Sequence, residues 1–309
     1  MIVHSLDQLE VVRAVLGAQA SGGEVVIAPW RGGTKLRDEV TAGLAGLPPR
    51  PGAIVLASSG TTGRPRTQAS SIDIRRAAML LGLIGTLPIP PRPHVMCLTR
   101  VDSGHGFTLW AATMAVGGTF HAAGSPTVEV DLLSGVPAQL LDASVRAPIV
   151  LSGSDVLTPD ASRRIADRTG GRVVDAYGAT EIGTVALDGV LMPGVTARQR
   201  PDGVICITSP FATEPFIGDR GHIAGGRLHI TGRADAALAS HGETLDPDRL
   251  QRWLDDRGVR ATVGVLDTGS GLRFTLTTTD PHCDTRTLSS AITDELGHAY
   301  RPATITGPG

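Results

Sequence analysis

Residues 6 to 20 place Leu9, Val12, Val15 and Leu16 at helical spacing, and Val25-Val26-Ile27-Ala28, between Glu24 and Pro29, reads as a buried strand. A second helix, roughly Lys35 to Leu47, is stopped by Pro48-Pro49 and followed by an apolar strand, Ala53-Ile54-Val55-Leu56. Residues 70 to 87 predict an amphipathic helix rich in Ala, Leu and Met. Val95-Met96-Cys97-Leu98 predicts a strand, 105 to 116 a mostly apolar helix, and Pro148-Ile149-Val150-Leu151 another strand. Alternating helices and strands argue for an α/β sheet with its ligand loops at the carboxyl ends of strands. From about 199 the pattern changes to short strands with frequent glycine, Val204 to Ile207 and Arg227 to Ile230, which predicts a small β-rich layer. A helix at 246 to 257, strands near 261 to 266 and 272 to 278, and a helix at 285 to 299 complete the reading. No internal repeat or low-complexity linker interrupts it.

The 309 residues, 41% hydrophobic, suffice for one large and one small domain. A formal net charge of −2 and the lack of a basic stripe point away from nucleic acid and towards small ligands. No run reaches the length of a membrane span and the first residues lack a signal-peptide pattern, so the expectation is a cytoplasmic protein without a membrane partner. Cys97, Cys206 and Cys283 are scattered and lack metal-ligand spacing, which predicts small buried apolar residues. Lys35 is the single lysine; the other basic residues are arginines.

Directly after the strand at 53 to 56 the chain reads Ala57-Ser58-Ser59-Gly60-Thr61-Thr62-Gly63-Arg64-Pro65-Arg66. Gly60 and Gly63 allow a tight turn and close approach to a ligand, while Ser58, Ser59, Thr61 and Thr62 set hydroxyls beside exposed N–H groups. This is the chemistry of a polyphosphate cradle, and such composition also makes solvated turns. A Walker loop is excluded, because Gly63 is followed by Arg-Pro-Arg rather than Lys-Ser/Thr.

The loop resembles the phosphate loop of the adenylate-forming superfamily (acyl-CoA synthetases, luciferases, adenylation domains), whose usual form ends in Pro-Lys. Further segments resemble the family in its order: Arg172 to Glu181, a strand running into Tyr177-Gly178-Ala179-Thr180-Glu181; Phe216-Ile217-Gly218-Asp219; Gly226 to Asp235, with Gly232-Arg233-Ala234-Asp235; and Ser240 to Pro247. The likeness runs from about residue 23 to the C-terminus. It implies an α/β fold: a reduced AMP-binding large domain with mixed sheets and flanking helices over 1–232, and a small mobile α+β domain over 233–309 that turns about Asp235.

The resemblance implies an acid–thiol ligase, in which ATP activates a small carboxylic acid as its acyl-adenylate and a thiol of coenzyme A or a carrier protein then takes the acyl group. Ser58, Ser59, Gly60, Thr61, Thr62 and Gly63 would cradle the β and γ phosphates, with Arg66 where the family has lysine. Gly153, Ser154 and Asp155 would line the adenine pocket and Tyr177 would stack on adenine beside Gly178 and Ala179. Thr180 would bond the α-phosphate, and Thr61 and Glu181 would hold Mg²⁺ through the phosphates. Asp219 would accept from the ribose hydroxyls, with Arg233 assisting, and His105 would stand as a gate beside the acyl pocket.

The sequence also departs from the pattern. Fewer than sixty residues precede the phosphate loop, a shortness shared with o-succinylbenzoate–CoA ligases of actinobacteria, and Gln251 stands where relatives have glutamate. The sequence stops before the segment in which relatives carry their catalytic lysine. Slow adenylation is therefore expected, and the alternative stays open of a partial or pseudo-enzyme that binds AMP, ATP or an acyl-adenylate and acts with a partner enzyme.

Overall fold

The computed structural model describes the chain apart from residues 46, 59–65, 72–84, 180–181, 211, 213, 235–237, 241–242, 268–271 and 308–309; at 58, 66–71, 238–240 and 243–244 it describes the backbone alone.

The first sheet, ordered β1-β2-β3-β4, contains β1 (Ile2–Val3), β2 (Val25–Ile27), β3 (Ala53–Ser58) and β4 (Arg66–Ser71). Its first three strands are parallel, and β3 turns back into β4 with Ser58 opposite Arg66. Helix α1 (Gln8–Ser21) starts where the Asp7 side chain accepts from Leu9 N and ends at Gly22 in the left-handed region. Helix α2 (Gly33–Leu44) packs Leu36 and Val40 against Val26, Val55 and Ala57.

The second sheet has seven strands in the order β11-β10-β9-β8-β7-β5-β6. It is built from β5 (His94–Cys97), β6 (Thr119–Ala122), β7 (Leu132–Gly135), β8 (Ile149–Gly153), β9 (Arg172–Ala179), β10 (Gly183–Leu187) and β11 (Val190–Leu191). The run from β9 to β6 is parallel, and β10 and β11 add antiparallel strands at one edge. Its helices are α3 (Gly104–Ala115), α4 (Pro137–Leu141) and α5 (Pro159–Thr169). The largest apolar cluster joins α1 and α3 to both sheets through Val15, Ile54, Phe107, Leu109, Leu132, Leu151 and Val174.

The third sheet is antiparallel, ordered β12-β13-β14-β15, from β12 (Thr196–Gln199), β13 (Val204–Thr208), β14 (Phe216–Ala224) and β15 (Arg227–Arg233). A two-stranded ribbon, β16 (Leu238–Ser240) with β17 (Glu243–Leu245), precedes helix α6 (Pro247–Asp255). Strands β18 (Ala261–Asp267), β19 (Leu272–Thr278) and β20 (Thr304–Thr306) form the last sheet, with α7 (Thr285–Leu296) on it. Leu250, Trp253, Phe274, Leu276, Ile292, Leu296 and Tyr300 close a core drawn entirely from residues 245 to 305.

This C-terminal unit sits on the loop and helix that follow β2. The end of α7 meets the start of α2: the Thr34 hydroxyl donates to the Asp294 carbonyl at 3.3 Å, and opposite helix-dipole ends face each other. The backbones approach so closely that a Cβ on Gly33 would lie 2.4 Å from Glu295 O, and one on Gly297 would lie 1.8 Å from Arg31 O. Arg249 on α6, buried, donates to Glu39 on α2 at 3.1 Å.

Candidate active site

In parallel sheets with crossover helices, the loops after the strands gather on one edge. On that edge β7 ends at Gly135, β8 at Gly153 and β9 at Ala179; the β3–β4 hairpin stands at the corresponding edge of the first sheet.

Asp219, 7% exposed, is the centre of one group. The β14–β15 register sets it opposite Arg233, and the β13–β14 register opposite Ile205. Its Oδ2 accepts from the Tyr177 hydroxyl at 2.6 Å, and the Arg233 guanidinium approaches Oδ1 at 3.6 Å. The carboxylate is therefore fixed between a cation and a phenol, and a strand pair and a parallel strand aim it. Tyr177 packs its ring against the main core. Gly178 is required by the β9–β10 pair, since a Cβ there would lie 2.4 Å from Gly183 O.

The other group surrounds His105, in the first turn of α3. Ser103 caps that helix, accepting from Gly106 N at 3.2 Å. The His105 Nε2 contacts Ser134 Oγ at 2.8 Å, and Nδ1 lies 3.5 Å from Ser154 Oγ. The ring lies so near β8 that a Cβ at Gly153 would stand 3.0 Å from its Cε1. Removal of water from the ring pushes its pKa from the ordinary 6.5 down to about 4, so it is neutral at pH 7.

That shift has a signed consequence for stability. Above pH 6.5 the neutral ring's contribution is intact, and it is lost as pH falls towards 4, because the unfolded chain takes up a proton that the folded chain refuses. The full loss is about 3 kcal/mol. His105→Gln should lose stability less steeply than the wild type between pH 7 and 4.5 in urea unfolding. Equal slopes for the two proteins would show that the ring titrates normally.

Of the residues expected from sequence, Tyr177, Asp219 and Arg233 meet, as do His105, Gly153 and Ser154. Asp155, half-buried beside them, accepts from Val156 N at 2.9 Å. Ser59 to Gly63, with Thr180 and Glu181, lie outside the described residues, as does Asp235. Two expectations are corrected. Arg66 opens β4 rather than lying in the loop, because its backbone pairs with Ser58. The helix expected from residue 70 cannot start there, since Ser70 and Ser71 belong to β4, paired with Ile54 and Ala53. Cys97 is buried, its thiol pushed up to about 12 by loss of water and hence inert, whereas Cys206 and Cys283 are half-buried.

Ser134, which touches His105, escaped the sequence reading because β7, Leu-Leu-Ser-Gly, is too short to show a period. Another buried polar group also surfaced only in the structure: Asp102 accepts from Arg100 Nε at 2.9 Å and from Trp30 N at 2.8 Å, tying the loop after β2 to the loop after β5. No described helix is long and apolar enough to cross a membrane, and among the described residues no group of three or more His, Cys, Asp or Glu could hold a metal ion.

Among solved structures, a malonyl-CoA ligase bound to methylmalonyl-CoA and AMP superposes at a TM-score of 0.78 with 21% identity, over 99% of this chain and 89% of that one. The fold is that of the adenylate-forming ligases. An o-succinylbenzoate CoA synthetase from Bacillus subtilis, bound to a product analogue, shares this ligase fold at 0.79 with 16% identity, over 99% and 83% of the two chains. The amide bond synthetase McbA from Marinactinospora thermotolerans does so at 0.74 with 18% identity, over 96% and 79%. No protein-family model and no curated protein matches the chain, so its likeness to these ligases is one of fold.

Proposed function

We propose that the protein activates a small carboxylic acid with ATP as the acyl-adenylate and passes the acyl group to the thiol of coenzyme A or a carrier protein. The observation that carries this reading is the Tyr177–Asp219–Arg233 group on the carboxyl edge of an adenylate-forming ligase fold. A carboxylate held by a phenol and a guanidinium is a ready acceptor for vicinal hydroxyls, as a ribose presents. The Tyr177 ring, carried by β9 of the seven-stranded sheet, would offer a face to adenine.

Ser58 and Arg66 face each other across the β3–β4 pair, and the residues between them in sequence, Ser59, Gly60, Thr61, Thr62 and Gly63, would serve the polyphosphate. Mg²⁺ would arrive with ATP, and Thr61 and Glu181 are the residues proposed to meet it; it would neutralise charge on the leaving pyrophosphate. Thr180 would face the α-phosphate. Gly153, Ser154 and Asp155 would border adenine and His105 the acid, and the 233–309 segment would act as a domain moving over the site.

Pyrophosphate release with ATP, Mg²⁺ and a panel of carboxylic acids, with and without coenzyme A, tests the reaction. Release that depends on one acid supports it. Nucleotide binding without release from any acid would favour a binding role alongside a partner enzyme. Arg66→Ala should weaken ATP binding more than AMP binding; equal loss for both would show that Arg66 does not serve the β and γ phosphates.

A further inference from the structure

Ser134 is fully buried on β7, and its hydroxyl touches two groups: the Leu151 carbonyl oxygen at 3.1 Å and His105 Nε2 at 2.8 Å. A serine hydroxyl has one proton and a carbonyl has none to give. Both contacts are attractive under a single assignment, in which Ser134 donates to Leu151 and accepts from His105 Nε2–H. A neutral imidazole carries one N–H, so Nδ1 holds a lone pair. That lone pair is on the side of Gly153 and Ser154, where a Cβ at residue 153 would stand 3.1 Å from it. Ser154, exposed and held at a φ of 65°, is a strained non-glycine residue at the open end of β8, the kind of place where ligand contacts concentrate.

The position along the edge is also informative. Gly153 pairs with Ala176, next to Tyr177, and Ser134 lies on the strand beyond β8. With about 4.8 Å between strands, a ligand anchored at Asp219 and Tyr177, as in the reading above, would have its acyl part on the Gly153 and His105 side of this edge.

We propose that Ser134 is a positioning residue that locks His105 as the Nε2–H tautomer, and that the neutral Nδ1 acceptor so presented selects carboxylic acids bearing a hydroxyl or N–H donor on the acyl chain. This rests on the acid-activating reading above and names its substrate class. A general-base role for the ring fails on magnitude: a group with a pKa of about 4 lies more than four units below the ~8.5 of a free thiol and cannot take its proton efficiently. Accepting a hydrogen bond needs no transfer. A plain alkyl or aryl group would leave Nδ1 with only the long contact to Ser154, and a second carboxylate would meet a lone pair. Sites that hydrogen-bond a substrate group discriminate strongly against analogues lacking it.

Histidine ¹⁵N NMR of the whole protein tests the positioning role. The wild type should show His105 as the Nε2–H form, Ser134→Ala should mix the tautomers, and Ser134→Thr, which keeps the hydroxyl, should restore the single form. An unchanged tautomer in Ser134→Ala overturns the role. Pyrophosphate release with matched acids tests selection: 4-hydroxybenzoate against benzoate and terephthalate, and 3-hydroxybutyrate against butyrate and succinate. The wild type should favour the hydroxylated member in at least one set by about tenfold or more in kcat/KM, chiefly through KM, and Ser134→Ala and His105→Phe should bring that set within about twofold. No such preference in the wild type, or the same preference kept in His105→Phe, overturns selection. If no acid supports release, the reaction itself falls and selection with it, while NMR alone still decides the role of Ser134.

Discussion

Asp219→Ala is expected to weaken ATP and AMP binding alike by about 1.5 to 3 kcal/mol, roughly ten- to a hundredfold in Kd. The change removes a charged acceptor held in place before any ligand arrives, by Tyr177 at 2.6 Å and Arg233 at 3.6 Å. Because both nucleotides carry the same ribose, the losses should match, in contrast to the ATP-biased loss expected for Arg66→Ala. Asp219→Asn, which keeps an acceptor oxygen without the charge, should fall between. Calorimetry that finds nucleotide affinity unchanged in Asp219→Ala would remove the carboxylate from the ribose site. A large drop in Tm with affinity intact would make the group a structural tie between sheets.

Gly297→Ala should cost about 3 to 5 kcal/mol of stability, although it adds one methyl group. That methyl would stand 1.8 Å from the Arg31 carbonyl oxygen, and the residue holds a φ of 104°. A nearby glycine supplies the control. Gly258 has a φ of 67° with nothing within 4 Å of its would-be Cβ, so Gly258→Ala should cost only the left-handed penalty, about 1 to 2 kcal/mol. Urea unfolding of both variants measures the difference. Equal costs would mean that the two backbones part easily at this contact.

Much of the α/β order was legible because its strongest signals are local. Val25 to Ile27 and Ala53 to Leu56 are continuous apolar runs, and such runs make buried parallel strands. The helix Pro159–Thr169 was missed although its signals are local too: Thr158 as cap, Pro159 in the first turn, Asp160 after it and Gly170 at its end. Its mean composition is polar, with Ile165 and Thr169 the buried residues, so a search led by apolar spacing passes over it. The strand β14 hid for another reason. It carries Gly218 and Gly221, and at both a Cβ would strike neighbouring atoms, so residues with low strand propensity are there for close packing.

The candidate site divides in the same way. Tyr177, Asp219 and Arg233 could be picked out from the motifs around them, yet their mutual contact spans three strands and no local pattern encodes it. Ser134 is the opposite case. One serine in a buried strand has no signature in one dimension, and its meaning comes from the histidine that α3 lowers onto it.

The junction of α7 with α2 has a consequence for the order in which the molecule can be completed. Helix α2 begins at Gly32 and Gly33 without a side-chain cap, and what meets its first turn is the end of α7, through the bond from Thr34 to Asp294 across 260 residues. During synthesis the first sheet emerges long before that end does. Contacts of such separation carry a loop-closure cost that must be met before they stabilise anything, which slows folding. The amino-terminal layer of this protein therefore reaches its final stability only when α7 has left the ribosome and docked, so a nascent chain stalled before Asp294 holds α2 without the contact that meets its leading turn.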